Sequence, residues 1–77
     1  MGISIEFAGP VRRPWPESTR TLPFVEGGTV AALLESLGFT PNETRLLWVA
    51  VNGEIAAPQR ALQEGDRVMI SVRIGGG

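Results

Sequence analysis

The sequence contains no cysteine and no histidine. The first absence excludes disulfides, zinc–thiolate sites and a cysteine nucleophile. The second removes the commonest general base and metal ligand. Lysine is missing as well, so all seven cations are arginine; a genome-wide preference for Arg, Ala and Gly codons is the simplest account. Eight acidic residues against seven arginines leave a net charge of −1, neither a basic field for nucleic acid nor an acidic tail. No apolar run approaches membrane-spanning length. The opening residues Met1-Gly2-Ile3-Ser4-Ile5-Glu6 lack the basic start and long apolar run of a signal peptide. Glu6 also stands where a myristoylation site requires Ser or Thr. Together these absences point to the cytoplasm, with no cofactor, no membrane and no nucleic-acid partner.

What is present suits a small folded body. Apolar residues make up 43% of the chain, ordinary for a globular protein and well above a disordered one. The 77 residues hold one domain, and a chain this short buries only about 60–65% of its unfolded surface. Ile3, Ile5 and Phe7 alternate with Ser4, Glu6 and Ala8, the period of a half-buried strand. Gly9-Pro10 ends it. A loop over residues 11–19 carries Arg12-Arg13, a solvated face, and Pro14-Trp15-Pro16, whose indole is expected to cap an edge of the core. Residues 20–26 read as a second strand, with Leu22 and Phe24 on one side. Pro23 cannot donate to a ladder, which puts this strand at a sheet edge.

Gly27-Gly28 makes a turn, and its spacing matches no phosphate-binding fingerprint. Thr29 then serves as an N-cap. Val30, Leu33, Leu34 and Leu37 form one helical stripe, which Gly38 closes. Residues 40–45 read as a polar connection. Residues 46–51 are the most apolar run and favour a central strand. Asn52-Gly53 is a strong hairpin signal, so residues 54–56 should return as a short strand. Residues 58–61 allow only a turn, with Leu62 as a plug. Glu64-Gly65-Asp66 leads into a last strand over residues 67–74, where Val68, Ile70, Val72 and Ile74 face inward. The order is ββαβββ. The arrangement that buries every apolar stripe is an α+β fold: a mixed sheet packed on one helix, first and last strands adjacent at its centre. That is a β-grasp, ubiquitin-like roll.

The last strand runs directly into Gly75-Gly76-Gly77. Residues 1–74 are thus expected to form the domain and residues 75–77 a flexible tail. A structured body would then present a carboxylate on a thin stalk, a shape suited to entering another protein's active site.

With these residues placed, the chain resembles the ubiquitin-like sulfur carriers, the small subunit of molybdopterin synthase and the thiamine-pathway carrier. The segments that carry the resemblance are Gly28-Thr29-Val30-Ala31-Ala32-Leu33-Leu34, Val49-Ala50-Val51-Asn52-Gly53-Glu54, Leu62-Gln63-Glu64-Gly65-Asp66-Arg67-Val68 and the glycine tail. The Asn-Gly and Leu-x-x-Gly-Asp segments are scaffold features shared with other β-grasp domains, so only the tail speaks to chemistry. The resemblance implies that an activating enzyme adenylates the terminal glycine and that sulfur then replaces an oxygen. The resulting thiocarboxylate is consumed by a sulfur-accepting synthase subunit. On that basis Gly77 carries the sulfur and Gly75 and Gly76 keep the stalk slim; Gly76 becomes the reactive end if one residue is removed. A side chain there would collide with the narrow pocket that keeps an acyl-adenylate from water.

Three further residues are candidates for partner binding. Arg73 alternates outward with Met69 and Ser71, and is either a contact for an acidic partner or a solvated strand arginine. Trp48 alternates oppositely to Leu47, Val49 and Val51, away from the helix. Either Trp48 and Met69 form an exposed docking patch, or Trp48 fills a second small core beneath the Pro-Trp-Pro loop. The protein is expected to be a carrier rather than an enzyme, because no catalytic constellation is recognisable. Its length and long first loop favour molybdopterin as destination. The other readings are a thiamine or tRNA-thiolation carrier, a protein modifier, or a binding module resembling TGS domains.

Overall fold

Three apolar alternations become the three inner strands of one sheet. The computed structural model describes residues 2–9 and 16–72; Arg12, Arg13, Pro14, Trp15, Arg73, Ile74 and the three terminal glycines lie outside them. Strand β1 (Gly2–Ala8) buries Ile3, Ile5 and Phe7. Strand β2 (Thr19–Pro23) pairs antiparallel with it. Strands β3 (Leu47–Val51) and β4 (Glu54–Ile55) form the hairpin around Asn52-Gly53. Strand β5 (Arg67–Val72) lies between β1 and β3, parallel to the first and antiparallel to the second. The sheet order is β2-β1-β5-β3-β4. A parallel central pair requires a long crossover, and the helical half of the chain supplies it. Ile5, Val51 and Ile70 are 0% exposed, and burying each such side chain stabilises by about 1.5–3 kcal/mol.

Helix α1 (Val30–Ser36) covers the inner face through Val30 and Leu34, with Leu33 half-buried. Thr29 accepts the Ala32 amide at 3.2 Å. The amides of Val30 and Ala31 donate to the Arg60 and Pro58 carbonyls, so the first turn leaves few donors unmet. At the other end Gly38 adopts φ 91°. Its amide donates to the Glu35 carbonyl while that of Phe39 donates to Leu34. This is a Schellman cap, in which the residue after the glycine packs back on the helix. Phe39 is buried and meets Phe7 with ring centroids 6.4 Å apart.

Two elements depart from the sequence pattern. Residues 40–45 contain a second helix, α2 (Pro41–Thr44), where a plain connection was expected. Thr40 and Glu43 form a reciprocal capping box with Pro41 at the first helical position. With four residues and no buried side chain, it offers no apolar period to read; its signature is Thr-Pro-x-Glu. Strand β2 ends at Pro23, short of Glu26, because its partner runs out: Pro23 faces Gly2, where β1 begins. The Phe7 amide donates to the Ser18 carbonyl, which fixes the alternation of the ladder and turns the Pro23 nitrogen to the open edge. The missing donor therefore costs no sheet bond. Phe24 still packs on the core from outside the strand, so its alternation outlasts the ladder.

Candidate carrier terminus and docking face

The Asn-Gly and Leu-x-x-Gly-Asp segments meet in space, far from the tail. Asn52 and Gly53 have φ of 54° and 87°, the two positive values of a type I′ turn. The Asn52 side chain reaches across to the start of β5: its Oδ1 accepts the Arg67 amide at 2.9 Å, and its Nδ2 donates to Asp66 Oδ1 at 2.9 Å. The second Asp66 oxygen accepts the Gln63 amide at 2.8 Å, and the Asp66 carbonyl accepts the Ser4 amide at 3.0 Å. Asp66 is 5% exposed. A carboxylate so buried must be hydrogen-bonded to be tolerated; here it ties the hairpin, the preceding turn and β1 to one point. Leu62 is the buried plug of the same turn. These motif residues hold the scaffold.

The opposite end of β5 is where the tail leaves. Arg73, Gly75, Gly76 and Gly77 lie outside the described residues, so the geometry available is that of their base, Val72. Val72 pairs with Leu47, and Ser71 with both Trp48 and Ala8. The base of the tail is therefore the central strand, hydrogen-bonded on both sides.

The outer face of the sheet divides in two. Over β1 and β2 it carries Ser4, Glu6 and Thr19, which line an open depression of about 510 Å³ together with Asn52, Arg67, Ala50 and Met69. Over β5, β3 and β4 it exposes large apolar side chains. Trp48 is 37% exposed and Met69 42% exposed. Because Trp48 faces Ser71 and Ala50 faces Met69, the two large side chains are diagonal neighbours on one face, within mutual reach. Sequence reasoning missed Ile55, which faces Ala50 and is 65% exposed, and Leu46, 62% exposed just before β3. The register of a two-residue Asn-Gly hairpin would have found Ile55, since it sets Ile55 opposite Ala50. Four of the five exposed large hydrophobics among the described residues therefore lie on or beside this region. Trp48 and Ile55 also line a groove of about 250 Å³ that leads round the β4 edge to Val30 and Leu34. Whether Trp15 packs near Trp48 falls outside the described residues.

Among the described residues no group of three or more acidic, cysteine or histidine side chains could hold a metal ion. No helix there is long and apolar enough to cross a membrane.

A five-stranded mixed sheet with a parallel central pair, packed on one main helix, is the β-grasp fold of ubiquitin-like proteins. The chain is similar in fold to the solution structure of Urm1 from Trypanosoma brucei, with a TM-score of 0.70 and 21% identity over 97% of this chain and 94% of that one. The model of the ThiS family matches residues 6–77, and the chain belongs to that family of ubiquitin-like sulfur carriers. No curated protein matches it. Carriers of this type work with an activating enzyme and with acceptor enzymes.

Proposed function

We propose that this protein carries sulfur as a thiocarboxylate on Gly77, with residues 1–74 as its folded body and residues 75–77 as its tail. The observation that supports this most directly is the family match over residues 6–77, which takes in the glycine run. An activating enzyme adenylates the Gly77 carboxylate with ATP, making its carbonyl carbon electrophilic. A sulfur donor then displaces AMP, and Gly75 and Gly76 let the carboxyl group enter pockets that a bulkier peptide would not. The protein is a co-substrate, acting in the cytoplasm. Trp48 and Met69 dock the partner enzymes and Arg73 meets an acidic partner surface. The sulfur goes to a molybdopterin precursor, through the large subunit of the synthase. The ten-residue separation between the end of β1 at Ala8 and the start of β2 at Thr19 supports that destination.

Incubation with an activating enzyme, ATP and a sulfur source should give the mass change of one oxygen exchanged for sulfur. Deletion of Gly77 should abolish it, and an unchanged reaction after that deletion would sink the reading. Mixing the charged carrier with molybdopterin synthase large subunit or with a thiazole synthase decides the destination. Conjugates on protein lysines that survive reducing agent would instead mark a protein modifier.

A further inference from the structure

An asparagine followed by glycine can lose its side-chain amide to its own backbone. The next residue's amide nitrogen attacks Cγ, and a glycine, without a Cβ, leaves that nitrogen open to close the ring. Asn52 precedes Gly53 and is exposed to water. Both of its side-chain polar atoms are nevertheless engaged: Nδ2 donates to Asp66 Oδ1 and Oδ1 accepts the Arg67 amide, each at 2.9 Å. The Asn52 amide also donates to the Arg67 carbonyl at 2.8 Å. All three bonds run to the turn and strand start at Asp66-Arg67, so Cγ is drawn across the ladder and away from Gly53.

We infer that Asn52 is a deamidation site gated by the fold. While its side chain is tied to Asp66 and Arg67, the Gly53 nitrogen does not reach Cγ. When the hairpin opens or the chain unfolds, the amide is lost, and the modified residue cannot rebuild the bond to Asp66. A hydrogen bond to a carboxylate lowers the population of the open side chain by about tenfold or more. The positive φ values of Asn52 and Gly53, 54° and 87°, belong to a turn that fixes both backbone dihedrals at this point. Modification therefore records time spent with the hairpin open.

In the open chain the Gly53 nitrogen forms a bond to Asn52 Cγ and gives up its proton. The bond from Cγ to Nδ2 breaks, and ammonia leaves with that electron pair and the proton. Water then opens the cyclic imide. Breaking its nitrogen–Cγ bond leaves aspartate; breaking its other nitrogen–carbonyl bond leaves isoaspartate, with the main chain routed through the side chain. An ionised aspartate only accepts hydrogen bonds. It has no proton for Asp66 Oδ1 and sets a second negative charge beside a carboxylate that is 5% exposed, an unfavourable pairing. Isoaspartate adds a backbone carbon and spoils the two-residue hairpin register. Either product loses the tie between the hairpin and the start of β5.

The test ages the native chain folded, the native chain in denaturing urea, Asp66→Ala and Leu34→Ala. Peptide mass follows position 52 as an NH2 group exchanged for OH. Asp66→Ala frees Nδ2, whereas Leu34→Ala opens a cavity under α1 and touches none of these bonds. The two variants are compared at urea concentrations that give them the same small unfolded fraction. The folded native chain should modify Asn52 at least about a hundredfold more slowly than the denatured one. Asp66→Ala should modify it about tenfold faster than Leu34→Ala. The chain aged in urea is then refolded, and its modified fraction should unfold at lower urea than its unmodified fraction. Equal rates for the folded and denatured native chain, or for the two variants, would overturn the gating. Equal unfolding midpoints for modified and unmodified chains would overturn the lost tie. If Asp66→Ala does not fold, the native comparison and the refolding arm decide between these outcomes.

Discussion

Two neighbouring regions along β5 are built on opposite principles. At its start, Asp66 and Asn52 form a polar cluster that is buried and hydrogen-bonded, and that ties three chain segments together. From its middle onward, Met69, with Ile55 level with it across Ala50, and Trp48 opposite Ser71 leave apolar surface in water. A small domain has little stability to spare, so exposed apolar surface on one patch signals a task other than folding. The most recognisable motif residues are thus architectural, and the docking candidates carry no motif. Familiarity of a segment and its nearness to chemistry are separate properties in this protein.

Four variants would break or sharpen that contrast. Asp66→Ala should have the largest effect on stability, about 3 kcal/mol, because it orphans the Asn52 amide and the Gln63 backbone donor. Urea denaturation measures it, and a loss below 1 kcal/mol would remove the cluster's claim to be the scaffold's lock. Next comes the double change Trp48→Ala with Met69→Ala. It should weaken binding to a partner enzyme by about 2 kcal/mol, roughly thirtyfold, while unfolding shifts less than for Asp66→Ala. Titration calorimetry of the pair, beside the same urea series, separates the two effects. If the double variant unfolds as readily as Asp66→Ala and binds normally, the apolar face is ordinary packing.

Gly2→Ala tests the locked end from the other side. A Cβ there would sit 2.2 Å from the Leu22 carbonyl oxygen, so β1 and β2 must separate locally, at a cost of about 1–2 kcal/mol. Thermal unfolding reads this out, and an unchanged midpoint would show that the edge ladder is dispensable. The smallest stability effect is expected for Ile55→Ser, within about 0.5 kcal/mol, together with about fivefold weaker binding. Binding unaffected by Ile55→Ser would confine the docking face to Trp48 and Met69.

Much of the fold was legible because burial and period coincide. Ile3, Ile5 and Phe7, then Val49 and Val51, then Val68 and Ile70 each alternate in the sequence and are each buried. Thr29 and Gly38 bracket α1 as their cap chemistry requires. What escaped reading had no period to show. Helix α2 is held by a capping box without a buried face, and β2 stops where its partner stops, a fact about β1. Ile55 was passed over because a two-residue strand displays no alternation of its own; only its pairing with Ala50 assigns its face.

The sequence by itself determined the order of elements, the inward residues, the turn at Asn52-Gly53 and the chemical poverty of the chain, because each depends on neighbours along the backbone or on composition alone. Tertiary structure decided that Asn52 meets Asp66, that Trp48 and Met69 share a face with Ile55, and that Val72 pairs with Leu47 on the central strand. Those relations arise from ladder register between strands distant in sequence, which sets every cross-strand neighbour at once and leaves no trace in any single segment.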